Sequence, residues 1–316
     1  MRTTVILDEL RQSELRPRGV YSEYGRLLRE DAAQLLTPDT TAWRHRACPG
    51  CDAANAPVAF EKDGFTYKRC PSCATLFADP VPTQAALDHV RATGRSAVYQ
   101  RKAFTGELAA ARRRHVQLSL LQWITGTLDE QEISPHTYHD WGTPEPNWLN
   151  LVVQSNLFKR VLAERLDPNA LADVVSLFDD LDKVSDPVAL LGEATQQLAP
   201  NGFFFMTTTA GSGLEYQLLG AHTPNLLPLD RLTLFTVEAI RQRLERTGYN
   251  VLELSTPGRL DVETVCNYVR ENPARAQLPF WDYFFSRNDE QACAELQLFL
   301  QQHHLSSYMR IVAQKK

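Results

Sequence analysis

Four cysteines set the first constraint on this chain. They fall as Cys48-Pro49-Gly50-Cys51 and Cys70-Pro71-Ser72-Cys73, with 18 residues between the pairs. A two-residue gap turns both thiolates of a knuckle toward one point, and two such knuckles supply the tetrahedral ligand set of a zinc ion. The stretch between them reads as a hairpin: Val58-Ala59-Phe60 and Phe65-Thr66-Tyr67-Lys68-Arg69 flank the turn residues Lys62-Asp63-Gly64. Cys48, Cys51, Cys70 and Cys73 are therefore expected to hold one structural zinc. Thiolates at every corner leave no open coordination position, so this zinc ribbon reads as a staple for a segment too small to build its own core. Cys266 and Cys293 have no partner at ligand spacing and read as ordinary thiols.

Composition narrows the function classes. In 316 residues, 43% hydrophobic and 22% charged with a net charge of −5, there is material for one large soluble domain or two modest ones. The negative balance argues against nucleic acid as a partner, because phosphate-backbone binding needs a concentrated basic face. Arg44-His45-Arg46 and Arg112-Arg113-Arg114-His115 read as solvated faces. No stretch approaches the ~20 apolar residues of a membrane span, and Asp8, Glu9 and Arg11 fall where a signal peptide would need its apolar region. A cytoplasmic chain with metal-bound rather than disulfide-bonded cysteines is expected.

Along the chain, residues 1–47 read as a helical N-terminal segment, 48–80 as the ribbon and 81–135 as a helical connector. Thr83 is placed to cap the helix after Asp79-Pro80-Val81-Pro82. Leu108, Val116, Leu120, Trp123-Ile124 and Leu128 recur at helical spacing, with Tyr99, Arg101 and Lys102 in the connection before them. From 136 to 258 the pattern becomes strand–helix alternation: strands at 137–141, 172–178, 203–208 (after an Asn201-Gly202 turn) and 249–254. A helix from Pro187 to Leu198 and one capped by Thr236 and stopped by Gly248 separate them. Residues 259–316 read as a C-terminal helical segment ending in a strand at 307–313. Continuous apolar strands between helices indicate an open α/β sheet covered on both faces.

Two stretches carry a family resemblance: Asp173-Val-Val-Ser-Leu-Phe-Asp-Asp-Leu-Asp-Lys-Val-Ser-Asp-Pro187, and Leu198-Ala-Pro-Asn-Gly-Phe-Phe-Phe-Met-Thr-Thr208. They resemble the fourth strand, Pro-Gly turn and fifth strand of class I SAM-dependent methyltransferases. Gly213-Leu-Glu-Tyr-Gln-Leu-Leu-Gly-Ala-His222 through Pro228, with Leu234-Phe-Thr-Val-Glu238, is similar to a zinc-ribbon-bearing bacterial subgroup whose members act on small molecules or sugars. The resemblance implies a Rossmann-like methyltransferase sheet and a SAM site. It also implies a Gly-rich turn after strand one, where this chain reads His139-Asp140-Trp141-Gly142-Thr143-Pro144-Glu145-Pro146-Asn147-Trp148. Proline locks φ and removes donors, so the usual turn is not expected. The fold normally needs on the order of 60 residues for strands two and three and their helices, yet only 30 separate Gly142 from Asp173. The sheet is therefore expected to be truncated in its first half. Leu149–Gln154 is the candidate for strand two, followed by Ser155-Asn156 where the ribose-holding acid would stand. Trp141 and Trp148 are expected to fill the space of the adenine.

These observations lead to a degenerate, methyltransferase-like ribbon protein serving as a binding, scaffold or regulatory subunit. An active methyltransferase with an unusual pocket, and a pocket reassigned to other small-molecule chemistry, are the alternatives. Any site should lie at the carboxyl ends of the strands. Gly142, Asp140 and Asp179 are candidates toward a cofactor, and Tyr216 and His222 toward catalysis; His139, Asp180 and Asn225 are further candidates, and Lys183, in the Asp182-Lys183 pair where the family commonly has an acidic-His pair, reads as a solvated helix residue. The cofactors expected are zinc and no SAM of useful affinity. The partners left open are a protein, a second copy of the chain and a small-molecule ligand.

Overall fold

The computed structural model describes residues 2–7, 10–36, 43–143, 146–162, 171–272, 279–287 and 289–316. An extended run and the short helix α1 (Gln12–Leu15) lead into α2 (Arg18–Gln34), which buries Leu27, Leu28 and Ala32. β1 (Trp43–Arg44) enters the ribbon. The expected hairpin forms from β2 (Val58–Lys62) and β3 (Phe65–Arg69), antiparallel. Asp63 and Gly64 take φ of 49° and 82° at its tip, the doubly left-handed turn that matches strand twist. β4 (Leu76–Ala78) extends this sheet, and β5 (Val81–Pro82) returns to pair with β1.

The connector holds α3 (Gln84–Thr93), α4 (Arg95–Ala103), α5 (Gly106–Arg112) and α6 (Leu118–Glu130), the last two joined by a π-helical turn over Arg113–Gln117. The long amphipathic helix thus exists with one widened turn, and buries Leu108, Leu120, Trp123, Ile124 and Leu128. Thr83 does stand before α3, but its side chain makes no capping bond. Tyr99, Arg101 and Lys102 lie on α4, not in a connection.

β6 (Thr137–Asp140) opens the main sheet, followed by α7 (Pro146–Gln154), β7 (Arg160–Leu162), β8 (Ala172–Phe178), α8 (Pro187–Gln197) and β9 (Leu198–Thr209). Then come α9 (Leu214–Leu219), a 3-10 turn over Gly220–His222, β10 (Thr233–Leu234), α10 (Val237–Arg246) and β11 (Tyr249–Ser255). The chain closes with α11 (Asp261–Glu271), α12 (Pro279–Ser286), α13 (Glu290–Gln302) and β12 (Tyr308–Lys315). The six-stranded sheet runs in the order β11-β12-β9-β8-β6-β7. β12 is antiparallel to both neighbours, as expected for the last strand, and the β9-β8-β6-β7 pairs are parallel. Alternation puts Phe203 and Phe205 on the α6–α7 face, and Phe204 and Met206 on the α8–α10 face. Asp186 caps α8 through Ala189 N–H at 3.0 Å, and Thr236 caps α10 through Ala239 N–H at 3.2 Å. Gly248, with φ of 100°, ends α10.

Two expectations are corrected here. Residues 149–154 are helix, not strand two: Trp148, Leu151 and Val152 are buried while Val153 is exposed, a three-to-four spacing that a β-branched apolar run concealed. The place beside β6 belongs to the three-residue β7. Asn201-Gly202 is not a turn between elements, since β9 already begins at Leu198 and carries those residues in an irregularity where Asn201 has φ of 60°. The shortening of the first half is real among the described residues: one short strand flanks β6 where two were expected.

Candidate functional site

The two knuckles have the same local form. Cys48 N–H bonds Ala53 O and Cys70 N–H bonds Thr75 O, and the residue after each second cysteine, Asp52 or Ala74, is left-handed (φ 66° and 56°). All four sulfurs lie within 4.8 Å of one another, with Cys48–Cys73 at 3.5 Å and Cys51–Cys70 at 3.4 Å. A tetrahedral ion with bonds of ~2.3 Å wants sulfurs ~3.8 Å apart, so the set fits zinc. Burial acts to raise the Cys70 thiol, but the N–H groups of Cys73 and Ser72 outweigh it and hold the thiol at about 7. The ribbon is bound into the rest of the molecule. β10 pairs with β4, Thr236 Oγ1 donates to Cys73 O at 2.9 Å, and Arg243 donates to Pro49 O at 2.9 Å and to Asp52 at 2.5 Å. A Cβ at Gly50 would collide with Thr75 Oγ1 and lie 2.8 Å from Cys73 Sγ. Gly50→Ala should therefore cost about 1–3 kcal/mol and speed zinc transfer to a chromophoric chelator; unchanged release kinetics would contradict this crowding.

A cavity of about 1770 Å³ opens at the carboxyl ends of β6, β8 and β9, and is roofed by residues of the N-terminal segment and of α2–α5. Trp141, Gly142, Thr143, Asp179, Asp180 and Lys183 line its floor. Asp179 is left-handed (φ 56°); its N–H bonds Thr207 O at 3.0 Å and its carboxylate accepts Thr207 Oγ1 at 2.8 Å. Asp180 folds back over the turn after β6, accepting Thr143 N–H and pairing with Lys183 at 3.2 Å. Burial opposes its charge, yet Lys183 and Thr143 hold the carboxyl below the usual range. A Cβ at Gly142 would stand 2.9 Å from Asp180 Oδ2, so the surviving glycine lets this carboxylate lie close over the turn.

The other residues singled out from sequence divide. Asp140 is buried beneath the turn and accepts Ser176 Oγ at 3.0 Å; it does not line the cavity. Trp148 Nε1 donates to Tyr138 OH at 2.8 Å, and that hydroxyl bonds Ser176, so this chain of bonds supports the sheet. Trp148 thus packs in the core on the α6–α7 face and does not fill an adenine space, whereas Trp141 does reach the cavity. Pro144 and Glu145 lie outside the described residues. His139 is buried with its ring 5.2 Å from the Trp141 ring. Tyr216 and Asn225 line the cavity, and burial pushes the Tyr216 phenol well up, so it keeps its proton. His222 is exposed on the 3-10 turn, 6.2 Å from the Tyr268 ring, and is not among the lining residues. Asp182 is not solvated: it is 1% exposed, accepts Thr209 Oγ1 at 2.7 Å and meets Arg231 at 3.3 Å.

Glu215 escaped the sequence reading. It lies on α9, 4% exposed, beside the cavity, and its carboxylate accepts only Asn225 Nδ2 (2.7 Å) among the described residues. Its signal was an acid on the buried face of α9 with Tyr216 and Leu219. Burial pushes its carboxyl up to about 7, with Arg16 pulling the other way. A group raised on folding stabilises fully below its unfolded pKa, ~4.3, and loses that contribution as pH rises through 7. Glu215→Gln should therefore gain up to about 3 kcal/mol over wild type at pH 9 and little at pH 4. Denaturant melts of both proteins at the two pH values check this.

The arrangement fits the comparisons with known proteins. The methyltransferase-domain family matches residues 73–254, more than half of the chain, and the chain belongs to that family. Similar solved structures include a mycolic acid cyclopropane synthase complexed with SAH (15% identity, TM-score 0.37, covering 64% of this chain and 85% of that one). A cyclopropane synthase from Mycobacterium tuberculosis shows 14% identity and a TM-score of 0.35, covering 64% and 85%. A SAM-dependent methyltransferase from Mesorhizobium loti shows 14% identity and a TM-score of 0.35, covering 61% and 97%. No protein of curated function matches the chain. No described helix is long and apolar enough to cross a membrane.

The residues present do not fit SAM in the manner this family resemblance implies. The turn after β6 gives its Thr143 N–H to Asp180 rather than offering it to a ligand. The strand beside β6 is three residues long among the described residues.

Proposed function

We propose that this protein is a methyltransferase-domain ribbon protein that has given up SAM-dependent methyl transfer and binds a small molecule in its large cavity. On this reading it acts as a binding or regulatory component in a small-molecule or sugar pathway. The observation that carries the reading is Asp180, whose carboxylate, neutralised by Lys183, occupies the close approach over Gly142 and Thr143. The cavity itself is not collapsed. Its volume of about 1770 Å³ exceeds the usual range for small-molecule pockets, and charged and aromatic side chains converge on it. A pocket lost to drift would be expected to fill with apolar side chains, whereas this one keeps costly polar groups. The zinc ribbon takes no chemical part; through β10 and Arg243 it fixes α10, and the loop between α9 and β10, against the sheet. Calorimetric titration with SAM and its demethylated product tests the reading, and saturable micromolar binding of either would overturn it.

A further inference from the structure

We infer that the cavity wall between α9 and α11 is an anchor for a cationic amine, with the Glu215 carboxylate as its counter-charge. The inference deepens the proposed small-molecule site and rests on that reading. Glu215 has no Lys, Arg or His nitrogen within ion-pair distance among the described residues, although it is 4% exposed. An ionisable group this buried normally has a partner, since desolvating an unpaired charge costs several kcal/mol. Here one carboxylate oxygen accepts Asn225, and the side chain borders the cavity.

A second, independent observation comes from the facing helix. Thr264, 2% exposed on α11, lines the same cavity, and its Oγ1 has no hydrogen-bond partner; Tyr268 OH, one turn further on, lines it and is also unpartnered. α9 and α11 pack together through Leu219, Val262, Val265 and Val269, which brings these groups to one wall. An ammonium carries three donors and no acceptor, which suits a carboxylate beside acceptor hydroxyls. The neighbouring side chains Tyr24, Leu28, Tyr216 and Leu227 offer apolar surface for the body of such a ligand.

The charged groups that act on Glu215 are Arg16 after α1, Asp261 at the start of α11, and Arg231. Arg231 is committed to Asp182. Asp261 is satisfied by Ser306, Gln297 and the Ser307 N–H. Lys62 of the hairpin, which donates to Thr223 O, is lowered to about 8 by burial and also feels Glu215. Because Glu215 sits at about 7, its ionised fraction rises roughly tenfold between pH 6 and pH 8 while an alkylamine stays protonated.

The probes are hexylamine and its neutral counterpart 1-hexanol, titrated into the full-length zinc-loaded protein and followed by calorimetry and thermal stability. Hexylamine should bind saturably, more tightly than hexanol at pH 8, and about tenfold more weakly at pH 6. Glu215→Gln should bring hexylamine to the hexanol level and flatten the pH dependence. A slope that persists in Glu215→Gln would trace to Lys62 and overturn the inference. Equal affinity for amine and alcohol, or binding of neither, would overturn it too. If Glu215→Gln does not fold, the amine–alcohol difference and its pH slope are read in Lys62→Gln, where they should persist, and their loss would overturn the inference. Saturable micromolar binding of SAM, the result that would sink the proposed function, is a separate titration of the same samples.

Discussion

Cys70→Ser is expected to reduce bound zinc from one equivalent to a small fraction after dialysis against a mild chelator, and to unfold the ribbon at temperatures where wild type is intact. Cys70 belongs to the fully buried pair with Cys48, and its sulfur stands 3.4 Å from Cys51. Removing one corner of a tetrahedral set leaves three thiolates with no protein ligand to replace it, and structural zinc carries about 10–16 kcal/mol of apparent binding energy in isolated fingers. The loss should propagate beyond the ribbon. β4, whose partner β10 comes from the methyltransferase half, and Arg243, whose acceptors are Pro49 O and Asp52, both depend on the knuckles keeping their shape. A destabilisation on the order of 4–5 kcal/mol is expected, the range reserved for loss of a metal or a buried network. Cys266→Ser, far from the cluster, should leave zinc content unchanged. Metal analysis and melting of the two variants side by side make the check, and a zinc-free wild type purified without chelator would remove the basis of the prediction.

SAM should show no saturable binding below about 1 mM, where the free energy is only about −4 kcal/mol. Two features act together. Asp180 takes the N–H of Thr143 and stands against Gly142, and among the described residues the sheet beyond β6 consists of the three residues of β7. Binding normally requires most of a ligand's surface to be buried, so a half-built pocket is weak rather than merely altered. Asp180→Ala separates the two causes. It opens the turn, at a cost of about 3 kcal/mol in stability for leaving Lys183 without its partner, yet it should not restore SAM binding, because the short strand beside β6 is unaffected. Recovery of micromolar SAM affinity in that variant would show that Asp180 alone is the obstacle. Micromolar binding by wild type would return the chain to the active methyltransferases.

The contrast between what could be read and what could not follows the range of the interactions. Zinc ligands, hairpin, core strands and the Thr236 cap of α10 were legible because each depends on spacing, periodicity or a turn residue within a few positions, whereas the direction of the last strand was implied by the family resemblance. The degenerate turn was legible for the same reason. Misreadings arose where a local pattern was ambiguous. Residues 149–154 are apolar and β-branched enough for a strand, but their buried positions, Trp148, Leu151 and Val152, follow a helical face set by packing under β6. Lys183 looks like a solvated helix residue, but it stands in a turn and pairs with Asp180, while the neighbouring Asp182 is enclosed by Thr209 and Arg231, which are distant in sequence.

The sequence by itself determined the four-cysteine cluster, through its spacing, and the shortness of the stretch after β6, through chain length, while strand–helix alternation and the family resemblance pointed to the class of sheet. Only the tertiary structure decided that Asp180 closes the turn over Gly142, that Trp148 supports the sheet, that His222 stands outside the cavity and that Glu215 stands beside it. The reason is physical. A side chain's charge state and its access to a ligand are set by burial and by partners brought from other elements, and neither is encoded within the residue's own neighbourhood.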